Sequence, residues 1–554
     1  MQRNDPSLAY LADRMLSYYR VTRCVLVAVT AALLLLGAGR PKGATPTRPP
    51  GLEQIRAADL RSYLTFIASD ELEGRDTPSR GLDTAALYIA SHLSRWGAKP
   101  AGDKGTYFQR IALVEQRVER DTSRVTLGGQ TYVHDHDFLA GSTPGRASGP
   151  LVYVGHGYTI KERNLDPYAG LDIKGKIIVA NDSMPSGVSR GDLRGKQGVD
   201  WDDPMGAAER HGAVGVVYLP SYRTLRSWRR KAAESTYLVE KLPHEERDGV
   251  PSITASPRLL GVLFDGEDTT PEEALAGAIS GKPEKPFALD VRKILSITVA
   301  LSSRPARTQN VVAVVEGRDP LLKQEYVALG AHYDHVGVGV GSGDVIYNGA
   351  DDDGSGTVAL LSMARALATA SPRPKRSVLF TWHAGEEHGL WGSEYFTRFP
   401  TVPLDRIVAQ LNVDMIGRSR KPRDEDPANR DLTGPDATYI IGSTLMSTEL
   451  ERISRQVNAG LFNLSFDYKY DARGDRERLF YRSDHYNYAK QNIPVIFYFS
   501  GLHEDYHEVG DSADKIDYTK MEKIVRTIYA TARTIADQPR RPAVDKRLPS
   551  EDRR

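Results

Sequence analysis

The stretch SVLFTWHAGEEHGLWGS, Ser377 to Ser393, joins a run of β-branched and aromatic residues to a loop with two histidines and two adjacent glutamates. His383 and His388 are five residues apart, which on a helix would separate them by roughly 140° around the axis, so a helix could not present both to one metal ion. The stretch instead predicts a buried strand that runs into a loop. Because adjacent side chains at a strand end point in opposite directions, we expect Glu386 and Glu387 to have different roles.

Further apolar runs resemble this strand and alternate with helical patterns. The runs are SITVALSS, QNVVAVVEG, YVALGAHY, ATYIIGS and IPVIFYFSG, and the helical patterns include GSGTVALLSMARALATA and MEKIVRTIYATARTIA. Strands that alternate with helices are typical of a mostly parallel sheet with helices on both faces. We therefore predict an α/β fold built on a mixed, mostly parallel central sheet.

A region of short strands and turns interrupts this pattern. Its β-rich pieces are GPLVYVGHG, GKIIVAND, GAVGVVYLP and VPSITAS. They predict a β-rich domain at residues 131–290, inserted between a first part of the main domain at 51–130 and a second part at 291–538. The charged tail at 539–554 lacks a core-forming pattern, and we expect it to be disordered.

The composition excludes several classes of protein. Lys and Arg number 73 against 72 Asp and Glu, so the net charge of +1 provides no basic field for nucleic acid. The single cysteine, Cys24, excludes intrachain disulfides and cysteine-ligated zinc or iron–sulfur sites. The length of 554 residues is enough for two to four domains with a large core.

Residues 1–50 have the composition of a targeting segment and a linker. The apolar run from Cys24 to Gly39 is shorter than the roughly 20 residues of a membrane span and ends in small residues, as a signal-peptide core does. Met15 is an alternative start, because MLSYYRVTR would then form a basic leader. A cleaved signal peptide and an uncleaved membrane anchor both remain open. Either predicts an exported protein that is periplasmic, extracellular or membrane-anchored facing outward.

Histidines and carboxylates gather where the predicted strands end. In open α/β sheets, ligands bind beyond the carboxyl ends of the strands, so we expect these side chains to lie close together. Asp414 stands in an otherwise apolar strand, where a charge is costly unless it is paired or bound to a metal. The candidates are His332, Asp334, Asp352, Glu386, Glu387, Asp414, His503, Tyr506 and His507.

Nitrogen and oxygen donors without sulfur suit zinc, manganese or cobalt. Even two of these histidines with three of these carboxylates are too many for one catalytic zinc, which takes about three protein ligands and keeps one position open. They suit two metal ions about 3.5–4 Å apart that share a bridging carboxylate and a bridging water. The sequence therefore predicts a two-metal site.

The string AHYDH…NGADDDGSG…HAGEEHGLWGS…LNVDMIG…YHEVGDS resembles the motifs of the co-catalytic two-zinc aminopeptidases related to aminopeptidase Y, glutamate carboxypeptidase and the transferrin receptor. The leading segment FIASDELEGRDT resembles theirs as well, and the region at 131–290 is similar to the protease-associated domain that many of them carry. The resemblance implies a fold of the zinc-exopeptidase type. It also implies an exported metallo-aminopeptidase that holds two Zn²⁺ per chain and removes N-terminal residues from peptides.

The resemblance assigns the metal ligands residue by residue. It implies that His332 and Asp414 hold one zinc, that Glu387 and His507 hold the other, and that Asp352 bridges both. The family also implies a cis peptide bond between Asp352 and the residue that follows it.

The resemblance assigns catalytic and supporting roles to three more residues. Glu386 would be the general base that takes a proton from the metal-bridging water and passes it to the leaving amine. Asp334 would orient the imidazole of a zinc-bound histidine. Tyr506 would polarise the scissile carbonyl, as the tyrosine at this position does in some members of the family. We interpret the flanking histidines as wall or hydrogen-bonding residues; they are His335, His383 and His388.

Three alternatives remain open at the level of sequence. A carboxypeptidase of the same fold would share every zinc ligand and would use basic residues to bind the substrate carboxylate, for which Arg418, Arg473 and Arg482 are candidates. A glutaminyl cyclase relative would use a single zinc. A non-catalytic receptor-like relative would keep the fold but lose ligands, and the intact motifs argue against it. The oligomeric state is left open.

Overall fold

The computed structural model describes residues 48–189, 192–243, 249–282 and 285–548. The predicted signal peptide or anchor at 24–39 and the alternative start Met15 lie outside these ranges. Within them, none of the helices is both long enough and apolar enough to cross a membrane.

The larger of two main sheets carries the predicted strand ends. In the part of the chain that the structure describes it has ten strands. In spatial order they are Thr236–Val239, Phe108–Val118, Leu301–Val315, Ser377–His383, Tyr326–His332, Ile407–Val413, Val495–Phe499, Ala437–Ile441 and Ser465–Asp467, with Lys99–Pro100 paired beside Leu301–Val315.

The centre of this sheet is parallel, and an antiparallel strand adjoins it on each side, Leu301–Val315 on one and Ala437–Ile441 on the other. Tyr326–His332 pairs in parallel with Ser377–His383 on one side and with Ile407–Val413 on the other, and the latter pairs in parallel with Val495–Phe499. Leu301–Val315 joins the centre in the antiparallel sense. This arrangement confirms the predicted mixed α/β fold and brings the carboxyl ends of four strands to one edge of the sheet.

Helices cover both faces of the larger sheet, because alternate residues of each strand point to opposite sides. In Ser377–His383, Phe380 and Trp382 pack into one apolar cluster, whereas Leu379 packs into another. The helices of the main domain are Ala57–Ile67, Arg80–Trp96, Gly356–Thr369, Trp391–Arg398, Ser443–Met446, Thr448–Gly460, His485–Lys490 and Tyr518–Asp537. Strands buried on both faces read as continuous apolar runs, which is why the sequence identified them.

The second main sheet belongs to the inserted region. Its nine strands, counted over the described residues, are in spatial order Gln130–Val133, Arg124–Leu127, Ile294–Val299, Gly145–Tyr153, Ile177–Asn181, Gly215–Leu219, Ser252–Ala255 and Phe138–Ala140, with Phe287–Ala288 beside Gly145–Tyr153. A separate pair is formed by Thr159–Ile160 and Trp201–Asp202. The accompanying helices are Pro204–His211, Tyr222–Arg226, Trp228–Ala233, Pro257–Leu263 and Pro271–Ser280.

The inserted region differs from the predicted span in two respects. Its sheet begins at Arg124 and ends at Val299, on either side of the predicted 131–290, because these two ends pair with each other. In addition, Thr236–Val239 leaves the insert and pairs antiparallel with Phe108–Val118 of the larger sheet. The insert is therefore tied to the main domain by strand pairing as well as by its two connections.

The tail expected to be disordered at 539–554 is ordered as far as the structure describes it, to residue 548. Val544 and Leu548 pack against an apolar cluster of the main domain. The Asp545 carboxylate accepts a hydrogen bond of 3.0 Å from the backbone N–H of Thr448, at the start of a helix. The prediction of disorder is thus wrong for residues 539–548, since two apolar side chains and one capping carboxylate attach the segment.

Candidate metal centre

The predicted ligands lie where the parallel strands end. His332 is the last residue of Tyr326–His332, Glu387 follows the neighbouring strand, and Asp414 follows Ile407–Val413. Asp352 lies on the irregular turn Ala350–Ser355, immediately before the helix Gly356–Thr369, and the peptide bond that follows it is cis, as the family resemblance implies.

The structure brings these side chains into two groups that share Asp352. In the first group, the His332 Nε2 atom lies 3.3 Å from Asp352 Oδ1 and 3.7 Å from Asp414 Oδ1. In the second group, the His507 Nε2 atom lies 3.1 Å from Asp352 Oδ2 and 3.0 Å from Glu387 Oε2. The Asp352 carboxylate therefore turns one oxygen toward each group.

The geometry of these atoms fits a metal ion better than hydrogen bonding. The Nε2 atoms of His332 and His507 are buried and have no hydrogen-bond partner among the described residues, although carboxylate oxygens lie 3.0–3.7 Å away. Buried polar atoms without a partner are rare in proteins. Ring nitrogens that face carboxylate oxygens without bonding to them leave room for a cation between, and this nitrogen and oxygen donor set is one that zinc accepts.

His335 reaches the second group, although the sequence indicated only a wall or hydrogen-bonding residue. Its Nδ1 atom lies 2.8 Å from Glu387 Oε1 and 3.8 Å from Asp352 Oδ2, and its side chain is buried. The sequence feature that could have indicated this role for His335 is its position three residues after His332, in the loop that leads from the strand toward the other ligands.

Asp334 contacts the His332 imidazole mainly through its backbone. His332 Nδ1 lies 3.2 Å from the carbonyl oxygen of Asp334 and 3.6 Å from its carboxylate oxygen Oδ1. The same carboxylate accepts a hydrogen bond of 3.3 Å from the backbone N–H of Glu386. Asp334 therefore stands between the first histidine and the glutamate loop.

The two adjacent glutamates differ in environment, as the strand geometry predicts. Burial raises the pKa of the Glu386 carboxyl well above its usual range; His332 opposes this effect, and the neighbouring charges of Glu387 and Asp414 add to it. Burial and the charge of Asp352 both act to raise the pKa of Glu387, but the hydrogen bond with His335 and the adjacent imidazole of His507 lower it overall. These environments favour the anion at Glu387 and the protonated carboxyl at Glu386.

Glu386 lines a pocket whose lining is partly acidic and partly apolar. The acidic residues in the lining are Glu386, Asp352 and Asp414. The other lining residues are Met415, Leu479, Arg482, Ser483, Phe497, Phe499, Leu502 and Tyr506. All of these belong to the second part of the main domain. Among the described residues, none from 131–290 lines this pocket.

Tyr506 lies beside the second group. Its ring stacks on that of His507, with the centroids 4.0 Å apart and the planes at 28°. Burial raises the pKa of the Tyr506 hydroxyl, and Asp352 and Glu387 raise it further, so the group keeps its proton. A protonated hydroxyl on the pocket wall is available as a hydrogen-bond donor.

Of the three arginines considered for a carboxylate-binding role, one lines the pocket. Arg418 is paired with Asp505 at 2.9 Å and with Glu504 at 3.1 Å. Arg473 donates to the backbone carbonyl of residue 547 at 2.6 Å. Arg482 is the one on the pocket wall.

Sequence reasoning missed Asp511, which supports the bridging loop. Its carboxylate accepts backbone N–H bonds of 2.9 Å from Asp351 and 3.0 Å from Asp352. The Asp353 carboxylate also supports this loop, because it accepts hydrogen bonds from the backbone N–H of Gly356 at 2.8 Å and from that of His332 at 3.2 Å. These buried carboxylates hold the backbone on which the shared ligand is mounted.

Comparison with known proteins relates this site to a family. Residues 310–532 match the profile of peptidase family M28. A probable zinc metalloprotease from Pyricularia oryzae is 28% identical over 266 residues, which cover 43% of this chain and 51% of the relative. Leucine aminopeptidase 2 from Arthroderma otae is 27% identical over 268 residues, which cover 43% of this chain and 48% of the relative. The chain thus spans about half the length of the curated relatives it matches.

A solved structure shares the fold. The structure of BSAP, a zinc aminopeptidase from Bacillus subtilis, matches 90% of this chain and 98% of its own, with a TM-score of 0.52 and 19% sequence identity. The similarity therefore extends over the inserted region as well as the main domain.

Proposed function

We propose, because residues 310–532 match the profile of peptidase family M28, that the protein is a two-zinc aminopeptidase that removes N-terminal residues from peptides. The observation that carries this proposal is the shared carboxylate: Asp352 presents one oxygen to His332 and the other to His507. We further propose that the enzyme is exported, on the strength of the apolar run at 24–39 in the sequence.

Each ligand of the proposed centre is a side chain at the carboxyl edge of the sheet. His332 and Asp414 would hold one zinc, Glu387 and His507 the other, and Asp352 both. Zinc bound there would supply Lewis acidity, which activates water and polarises a carbonyl group.

Glu386 would perform the proton transfers. It belongs to neither ligand group, yet its carboxylate lines the same pocket, with Oε2 3.9 Å from His332 Nε2. Peptide hydrolysis requires a group that accepts a proton from the attacking water and delivers it to the departing amine, and a carboxylate of raised pKa suits both steps. Tyr506 would donate its hydroxyl proton in a hydrogen bond to the carbonyl oxygen as negative charge develops on it.

The apolar part of the pocket lining suits an apolar first side chain. It consists of Met415, Leu479, Phe497, Phe499 and Leu502, and pockets that bind small ligands are lined mainly by such side chains. Arg482 is the one cation in the lining among the described residues.

The alternative is a carboxypeptidase of the same fold, and one observation favours it: the Arg482 guanidinium lines the pocket, where it would bind a substrate carboxylate. The two activities are separated with leucine p-nitroanilide, its N-acetylated form and an N-acetylated dipeptide with a free carboxyl group, each with and without a chelator. We expect chelator-sensitive cleavage of the free-amine substrate alone. Cleavage of the blocked dipeptide that is lost in Arg482→Gln would instead establish the carboxypeptidase.

Tyr506→Phe is expected to lower kcat about 10- to 100-fold with little change in KM. A donor aimed at developing charge acts mainly in the transition state, and its removal typically costs about 2.7–4 kcal/mol. We expect the low end or less, because zinc at the same oxygen shares the stabilisation. The measurement is kcat, KM and zinc content of the purified variant.

The matched control is Tyr486→Phe, which removes a buried hydroxyl of the same apolar cluster that does not line the pocket. Wild-type kcat in Tyr506→Phe would assign Tyr506 to packing alone, and loss of zinc would mean that it supports His507.

A further inference from the structure

Arg75 carries a fully buried guanidinium that binds the backbone of the ligand loops. Its side chain is 0% exposed. Its Nε atom donates to the carbonyl of Tyr333 at 2.9 Å, Nη1 donates to the carbonyls of Asn348 at 2.7 Å and Ile67, and Nη2 donates to that of Gly349 at 2.9 Å. One side chain thus joins three segments of backbone, at residues 67, 333 and 348–349.

Two of these segments carry proposed metal ligands. Tyr333 lies between His332 and Asp334, whereas Asn348 and Gly349 lie three to four residues before the shared ligand Asp352. The backbone of Arg75 adds a further contact, because its carbonyl accepts a 3.2 Å hydrogen bond from the backbone N–H of His335. Arg75 therefore holds the first ligand loop at a fixed distance from the bridging loop.

The residues next to Arg75 in the sequence contact the loop that carries Glu386 and Glu387. Thr77 Oγ1 accepts a 3.1 Å hydrogen bond from the backbone N–H of Gly385, directly before the two glutamates. Asp76 Oδ1 lies 2.9 Å from His388 Nε2, directly after them. Gly74, at φ 63°, approaches so closely that a Cβ atom there would lie 2.4 Å from the carbonyl oxygen of Gly337. The segment 74–77 contacts the loops of all the ligands except Asp414 and His507.

The charge of Arg75 is matched by the carboxylates of the centre. Burial lowers its pKa to about 10, and Asp334, Asp511, Asp353 and Asp352 oppose that effect, so the guanidinium stays charged at neutral pH. Its hydrogen bonds go to neutral carbonyls, and a buried charge is costly without opposite charge nearby. The compensating charges are therefore those of the ligand loops themselves.

We propose that Arg75 is a positioning residue that sets the metal affinity of the centre by clamping the loop at 332–335 against the loop at 348–352. The proposal rests on the proposed metal site. Groups that orient the metal ligands without contacting the metal typically contribute about 10- to 100-fold to metal affinity. A clamp on the backbone of two ligand loops acts in the same way, because it limits the geometries that the ligands sample without metal.

The test compares zinc dissociation constants of Arg75→Met, Arg75→Lys and the wild type, measured on full-length, metal-stripped protein with a competing chromophoric chelator. We expect about 10- to 100-fold weaker zinc binding in Arg75→Met. Arg75→Lys keeps the charge but lacks the planar fork, so we expect binding between that of the wild type and that of Arg75→Met. The melting temperature of the metal-free proteins is recorded beside the binding data.

The matched control is Arg376→Met. Arg376 is also 0% exposed and also donates to a backbone carbonyl, that of Ile535 at 3.2 Å, but it lies at the start of the strand Ser377–His383, at the other end from the ligands. We expect this variant to lower the melting temperature of the metal-free protein while zinc affinity stays at the wild-type value.

Wild-type zinc affinity in a folded Arg75→Met variant would overturn the proposal. If that variant does not fold, Arg75→Lys decides, and unchanged affinity there has the same consequence. Weaker zinc binding in Arg376→Met to the same extent would also overturn it, since the effect would then be general destabilisation. A wild-type protein that binds no zinc would refute the metal site itself, which is a different result from equal affinities.

Discussion

Glu386→Gln is expected to lower kcat by about 10²–10⁴-fold while the zinc content stays that of the wild type. Glutamine keeps the size and shape of the side chain but cannot accept and release the proton. Glu386 lines the pocket and belongs to neither ligand group, so its replacement leaves the metal donors in place. The measurements are kcat on leucine p-nitroanilide and elemental analysis of the purified variant.

Glu387→Gln provides the matched control, because it is the same substitution at the adjacent position. Glu387 Oε2 lies 3.0 Å from His507 Nε2, within the second ligand group. We expect this variant to lose zinc, with loss of activity that added zinc partly restores. Equal zinc loss in both variants would refute the division of roles between the two glutamates.

Asp352→Asn is expected to lower activity by at least about 10³-fold and to reduce zinc to less than half the wild-type content. Each carboxylate oxygen of Asp352 faces one of the two histidines, His332 or His507. The asparagine amide has only one oxygen and no negative charge, so it cannot replace both donors. Metal ions contribute several kcal/mol to transition-state stabilisation, and each 1.36 kcal/mol is a factor of ten in rate.

The control for this variant is the neighbouring residue of the same aspartate triplet. Asp351 belongs to neither ligand group, and its Oδ1 atom accepts a hydrogen bond of 2.5 Å from the backbone N–H of Gly417. We expect Asp351→Asn to lower thermal stability and to retain zinc. An Asp352→Asn variant that keeps its zinc and its activity would show that Asp352 does not bridge two metal ions.

The sequence was sufficient to predict the central sheet and the residues that gather at its edge. Strands buried on both faces are nearly continuous apolar runs, and every residue of Ser377–His383 is buried in the structure. Parallel strands bring their carboxyl ends together, so polar residues at those ends meet without any further assumption. This is why His332, Glu387 and Asp414 could be grouped before any coordinates.

The supporting residues could not be predicted, because their partners are fixed only by long-range packing. Arg75 donates to Tyr333, 258 residues further along the chain, and a single arginine in a polar segment reads as an exposed residue. Asp511 supports Asp352 from 159 residues away. The same reason applies to Thr236–Val239, whose pairing with the larger sheet depends on where the insert folds back.

The most direct test of the account is anomalous diffraction at the zinc absorption edge from crystals of the zinc-loaded protein. The account predicts two peaks in each chain, one between His332 and Asp414 and one between Glu387 and His507, with Asp352 in contact with both. A single peak, or zinc bound away from these side chains, would contradict the two-metal centre on which the proposed aminopeptidase mechanism depends.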